Sequence, residues 1–171
     1  KYASKIITIS QFTKKELNIM GNAQDEKIKE LTVKLQGLPL ALQQALAYIN
    51  LQRNINAEFS IQNYIELYKE KTEQLLNFDF SNYINDPYTK TVFTTWQITL
   101  EKIQDDKNIG KNALEILNIM AYLCPDKISN SLFLRLGNSE LSSALYLLRS
   151  YSMISPGSQR DESTVHRLVQ Q

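Results

Sequence analysis

One histidine, one cysteine and one glycine–lysine pair are the scarce chemical groups of this 171-residue chain, and each can be tested against its neighbours. Glycine-rich phosphate loops need closely spaced glycines so that several N–H groups converge on one anion. Gly110-Lys111 is followed by Asn112 rather than Ser or Thr, and Asp105 stands where the upstream glycine belongs, so the chain contains no P-loop. Cys124 has no second cysteine to form a CxxC pair or a disulfide, which argues against zinc and fits a reducing, cytoplasmic setting. A hydrolytic triad would have to use His166, and no nucleophile-elbow sequence accompanies it. Carboxylates such as Glu70 and Glu73 alternate with Lys69 and Lys71, as on a solvated helix face. No catalytic constellation emerges, and the chain is not expected to be an enzyme by itself.

The stretch Leu35-Gln36-Gly37-Leu38-Pro39-Leu40-Ala41-Leu42 is more distinctive. Gly37 suits the left-handed cap that ends a helix. Pro39 pushes Leu38 out of α geometry and is itself comfortable at a first helical position. Leu38, Ala41, Leu42, Ala45, Leu46 and Ile49 then recur at three and four residues. The break is a corner between two amphipathic helices.

Around this corner the composition is that of an ordinary globular domain, 43% hydrophobic and 22% charged. A net charge of +1 carries no polyelectrolyte signal for nucleic acid or membrane. No apolar run approaches the roughly 18 residues that span a bilayer. With 5 glycines and 4 prolines, long loops are few and helices joined by short connections are expected.

The elements follow from periodicity. Residues 5–9 are β-branched and read as one strand without a partner, the cut edge of an α/β domain whose other strands lie upstream. Thr13 and Glu16 form a capping box for a short helix to Met20. Asp25 precedes a helix with Ile28, Leu31 and Leu35 on one face, and Ser60 caps another with Tyr64, Ile65 and Tyr68 inward. A helix over 89–103 is expected to turn Phe93, Trp96, Leu100 and Ile103 to the core, and the polar residues 105–110 make a boundary. Beyond it, an apolar helix over 111–124 ends at Pro125 and buries Cys124, and a short helix over 130–136 stops at Gly137. Ser139 caps a third helix carrying Leu141, Ala144, Leu145 and Leu148. A Pro-Gly-Ser turn between Met153-Ile154 and Thr164-Val165 completes a hairpin. The expected fold is mainly α: a remnant of an α/β domain (1–23), a helical bundle (24–108) and a winged helix with a small terminal hairpin (109–171).

Winged helices that read DNA place basic side chains on the helix before the wing, because phosphate contacts supply the affinity. Here that helix holds Arg149 as its only basic residue, and the wing sets Arg160 beside Asp161 and Glu162. A module that packs against its own chain is the better reading. A free-standing winged-helix module for protein or DNA, without a nucleotide role, is the alternative.

The hexapeptide Gly37-Leu38-Pro39-Leu40-Ala41-Leu42 resembles the GLPLA motif of NB-ARC proteins, a branch of the STAND nucleotide-binding switches. The downstream order agrees. Residues 95–100 (Thr-Trp-Gln-Ile-Thr-Leu) resemble the exit from that family's helical domain, and 113–126 its apolar helix with a proline corner. Residues 144–154, and then Val165-His166-Arg167, resemble the end of its winged-helix domain, where the family carries Met-His-Asp.

The resemblance implies a regulatory switch. It implies an upstream P-loop domain of the same chain that holds ADP or ATP with Mg, repeats downstream that sense a trigger, and a homo-oligomer on activation. Gly37, Leu38, Pro39 and Leu40 would lie beside the adenine and ribose, and His166 would reach the β-phosphate of ADP and latch the closed state. The fragment alone is expected to bind nucleotide weakly and to hydrolyse none. Val165 is a mild departure from the family methionine, whereas Arg167 removes the carboxylate of the signature.

Overall fold

The computed structural model describes residues 22–77 and 86–170. The expected strand over 5–9 and the helix over 13–20 lie outside the described residues. Among these, the fold is mainly helical with a small three-stranded antiparallel sheet near the C-terminus. Two compact units divide between Ile98 and Thr99, inside a helix.

The first unit contains α1 (Asn22–Lys34), α2 (Pro39–Ile55), α3 (Ile61–Asn77) and most of α4 (Pro87–Gln104). α1 includes Asn22 to Asp25, ahead of the expected point, and buries Ile28 and Leu31, with Leu35 just beyond it. α1 and α2 both pack on α3, whose Tyr64, Ile65 and Tyr68 are buried as expected. Tyr48 lies between Phe59 and Tyr64, with ring centroids 6.0 and 5.5 Å apart in tilted geometry, an arrangement that favours aromatic pairs. Burial, reinforced by Tyr68, pushes the Tyr64 phenol far above its ordinary range, against a lowering contact from Thr95. Ser60 begins α3 with a reciprocal box: its Oγ accepts from the Asn63 N–H at 3.3 Å, and the Asn63 Oδ1 accepts from the Ser60 N–H at 2.9 Å.

α4 corrects the expected face in its first half. Phe93 is exposed and Trp96 and Leu100 half-buried, while Thr91, Val92, Thr94, Thr95 and Ile98 are buried; Ile103 is buried as expected. The threonines can go inward because their hydroxyls donate to carbonyls one turn back: Thr91 to Pro87 at 3.0 Å, Thr94 to Lys90 at 2.9 Å and Thr95 to Thr91 at 2.8 Å. A hydroxyl satisfied within its own helix enters the core without an orphaned donor, so the stripe rotates away from Phe93.

The second unit continues with α5 (Gly110–Met120), β1 (Ile128–Ser129), a 3-10 segment (Asn130–Leu136), α6 (Asn138–Ser150), β2 (Ile154–Pro156), β3 (Glu162–Val165) and a 3-10 turn (Arg167–Val169). A helical unit closed by a small terminal antiparallel sheet is consistent with the expected fold, with β1 as an addition and the short helix over 130–136 as a 3-10 segment. β3 is central, pairing Ile128 with Ser163 on one side and Ile154 with Val165 on the other. α5 and α6 pack together, burying Ala113, Ile116, Leu117, Met120, Leu141, Ala144, Leu145 and Leu148. Three expectations are corrected. α5 ends at Met120, four residues early, so Cys124 is exposed in the following turn. α6 is preceded by Gly137 at φ 83°, so Ser139 lies inside the first turn and is not the cap. The sheet has three strands, not two, because a two-residue β1 is too short to leave a periodic signal.

Candidate functional site

The corner between α1 and α2 is built almost entirely from backbone hydrogen bonds. The Gly37 N–H donates to the Thr32 carbonyl at 2.8 Å and the Gln36 N–H to the Val33 carbonyl at 3.0 Å. This paired pattern is a Schellman cap, which satisfies carbonyls the helix end leaves open. Two consecutive residues are left-handed, Gln36 at φ 54° and Gly37 at φ 63°. The first left-handed position is therefore Gln36 and not, as expected, Gly37. A side chain in that region costs about 1–2 kcal/mol relative to right-handed geometry. Leu38 then returns to extended backbone at φ −73°, ψ 118°, and Pro39 occupies the first turn of α2, where its missing N–H is not required. The Leu42 N–H donates back to the Leu38 carbonyl at 2.9 Å.

The four expected site residues at the corner divide by burial. Leu38 is turned into the first unit and is 7% exposed, whereas Gly37 and Leu40 are half-buried and Pro39 is exposed. The outward surface of the corner is thus a short, uncharged strip of Gly37, Pro39 and Leu40. Such a strip suits a flat, apolar ring and offers no charge to a phosphate.

Gln36 was invisible to sequence reasoning, since no spacing rule marks a glutamine before a glycine. Its Nε2 donates to the Pro87 carbonyl at 2.7 Å and to the Thr91 Oγ1 at 2.6 Å, both in the first turn of α4. That turn carries its own cap. The Asp86 carboxylate accepts from the Thr89 N–H at 2.8 Å and the Thr89 hydroxyl at 2.9 Å. The Thr89 N–H, and then its hydroxyl, hold the Asp86 carboxyl below the ordinary aspartate range.

His166, the fifth expected site residue, belongs to the second unit and is exposed at the end of β3. Its backbone is held on both sides. The Val165 N–H donates to the Pro125 carbonyl at 2.9 Å, and the Val169 N–H donates to the His166 carbonyl at 2.7 Å. Gln170 Nε2 donates to the carbonyls of Met120 at 2.8 Å and Leu123 at 2.9 Å, closing the chain onto the open end of α5. Val165 and Val169 are buried beside it, so the histidine stands on a fixed backbone with an outward side chain.

The helix that would read DNA has little to read with. The outward residues of α6 are Asn138, Ser139, Glu140, Ser142 and Tyr146, none of them basic. Arg149 Nη2 donates to the Ser163 Oγ at 3.1 Å, and that hydroxyl donates to the buried Asn130 Oδ1 at 2.7 Å. The one basic side chain of the helix is engaged with the sheet. Among the described residues no helix is long and apolar enough to cross a membrane.

No family model matches the chain. No solved structure matches it either. It is similar to a protein of Hyaloscypha variabilis (strain UAMH 11265 / GT02V1 / F) named nucleotide-binding leucine-rich repeat (NLR)-like protein. The two are 28% identical over 155 residues, covering 85% of this chain and 15% of that protein. The chain therefore spans less than a sixth of the length of the relative it matches, and the similarity supports a relationship of the NLR or STAND type.

Proposed function

We propose that this chain is the C-terminal part of the ADP/ATP-dependent switch of a STAND signalling protein of the NB-ARC type. In this reading the outward strip Gly37, Pro39 and Leu40, on a backbone shaped also by Leu38, lines the nucleotide base and ribose. The P-loop and Mg belong to an upstream domain of the same chain. His166 contacts the β-phosphate of ADP and latches the closed state, while repeats downstream sense the trigger and opening leads to self-association. In this reading any ATPase activity would belong to the upstream domain rather than to this chain.

The observation that carries the reading is the corner itself: a Schellman-capped helix end running through Gly37-Leu38 into a helix with Pro39 in its first turn. It occurs in a chain whose similarity to an NLR-like protein extends over 85% of its length. The exposed histidine on a held backbone suits the latch, because a contact to ADP made only in the closed state shifts the population toward that state. The engaged Arg149 and an α6 surface whose exposed charged residue is the acidic Glu140 weigh against the DNA-binding alternative.

The test uses the full-length protein and a fluorescent ADP analogue. Loss of one charge-assisted contact in His166→Ala is expected to speed release on the order of tenfold. An unchanged release rate would remove His166 from the latch. Tight, sequence-selective and salt-resistant binding of duplex DNA by the chain would favour the alternative.

A further inference from the structure

We infer that Gln36 is the positioning residue of the corner, its side-chain amide tying residues 37–40 to the first turn of α4 so that corner and helix move as one body. The left-handed backbone at φ 54° is one that glycine or asparagine adopts most readily, yet a glutamine occupies it directly before a glycine. Its backbone gains nothing from that choice. A glutamine contributes reach. Its Nε2 spans 51 residues of sequence to the Pro87 carbonyl and 55 to the Thr91 hydroxyl. The Thr91 hydroxyl itself donates to the Pro87 carbonyl at 3.0 Å, so the three groups close a ring at the start of α4. Thr91 is buried, which holds one side of the ring in place. Asparagine would keep the amide and the backbone preference but fall one methylene short.

α4 is also the helix inside which the two units divide. A shift of the corner must either draw the start of α4 with it or break both amide bonds. Resting on the switch reading, Gln36 then sets where the strip of Gly37, Pro39 and Leu40 stands against the nucleotide, and links that strip to the helix entering the second unit.

Hydrogen exchange on the 171-residue chain separates this role from a merely local one. Gln36→Gly relaxes the left-handed backbone while deleting the amide, and Gln36→Asn keeps an amide that cannot reach. Both are expected to lower protection of the backbone amides over residues 90–94 about fivefold to tenfold, as for two lost neutral hydrogen bonds, while amides in the core of α2 keep theirs. If Gln36 served only the turn, Gln36→Gly would raise the melting temperature and leave α4 fully protected, and that result overturns the inference. In the full-length protein, release of a fluorescent ADP analogue should quicken in Gln36→Gly, with His166→Ala as the reference. Faster release in His166→Ala alone overturns the nucleotide-positioning role and leaves the switch reading intact. Should neither variant change release, the switch reading has failed, and the exchange data alone decide for or against the clamp.

Discussion

The two units each turn the chain at a glycine, and they do so by different physics. At Gly37 the first unit uses backbone conformation: two left-handed residues, a Schellman pair and a side-chain clamp to α4. At Gly110 the second unit uses proximity. The start of α5 lies so close to the end of α4 that a Cβ at Gly110 would clash with the Ile103 carbonyl oxygen. The neighbouring Asp106 completes that turn by accepting from the N–H groups of Asn108 and Ile109, each at 3.0 Å. The glycine within a recognisable motif is thus the one whose role is conformational and adjustable. The glycine that resembled a failed phosphate loop is needed because no side chain fits. A turn held by hydrogen bonds can yield by degrees, whereas one held by contact with a backbone carbonyl cannot.

Substitution at the two glycines is the strongest way to break this contrast. Gly110→Ala forces α5 off α4 and is expected to destabilise the second unit by about 3 kcal/mol, read from urea denaturation. A loss below about 1 kcal/mol would show that the close approach relaxes easily and that the two corners are alike. Gly37→Ala places a Cβ in the left-handed region, and its expected loss is smaller, about 1 kcal/mol.

Acid titration probes the hydrogen-bonded side of the comparison and should give the smallest effect. Asp86 is held below the ordinary aspartate range in the folded chain, mainly by the Thr89 N–H. A depressed carboxyl contributes stability that is complete above its unfolded pKa and is lost as pH falls through the folded one. Unfolding midpoints followed from neutral pH into the acid should therefore slope less in Asp86→Asn than in the parent chain. The difference should be confined to the region below about pH 4. Equal slopes would mean that the cap of α4 does not couple to pH.

The helices with clean apolar periods were legible from their residues: Ile28, Leu31 and Leu35; the face of α2; Leu141, Ala144, Leu145 and Leu148. The face of α4 was not, because a threonine scores as polar although its hydroxyl can be satisfied one turn back, and three such residues outvoted Phe93. The end of α5 was misplaced for a related reason. An apolar run reads as helix up to Pro125, but the chain leaves the helix at Met120, and Tyr122 and Cys124 face outward. At the candidate site, Gly37-Leu38-Pro39 announced a corner, while Gln36, its partner on α4 and the network of Arg149, Ser163 and Asn130 left no trace in local spacing.

Among the described residues the sequence by itself determined where the main α-helices fall, where the Pro39 corner lies and that a hairpin follows the last α-helix. Those depend on periods of three, four and two residues and on the backbone limits of glycine and proline, all of them local. Tertiary structure alone decided which face of α4 is buried, that β1 joins the sheet, and that Gln36 spends its side chain on a helix 51 residues away. These choices depend on which partners satisfy a polar group once water is excluded, and such partners are distant in the chain.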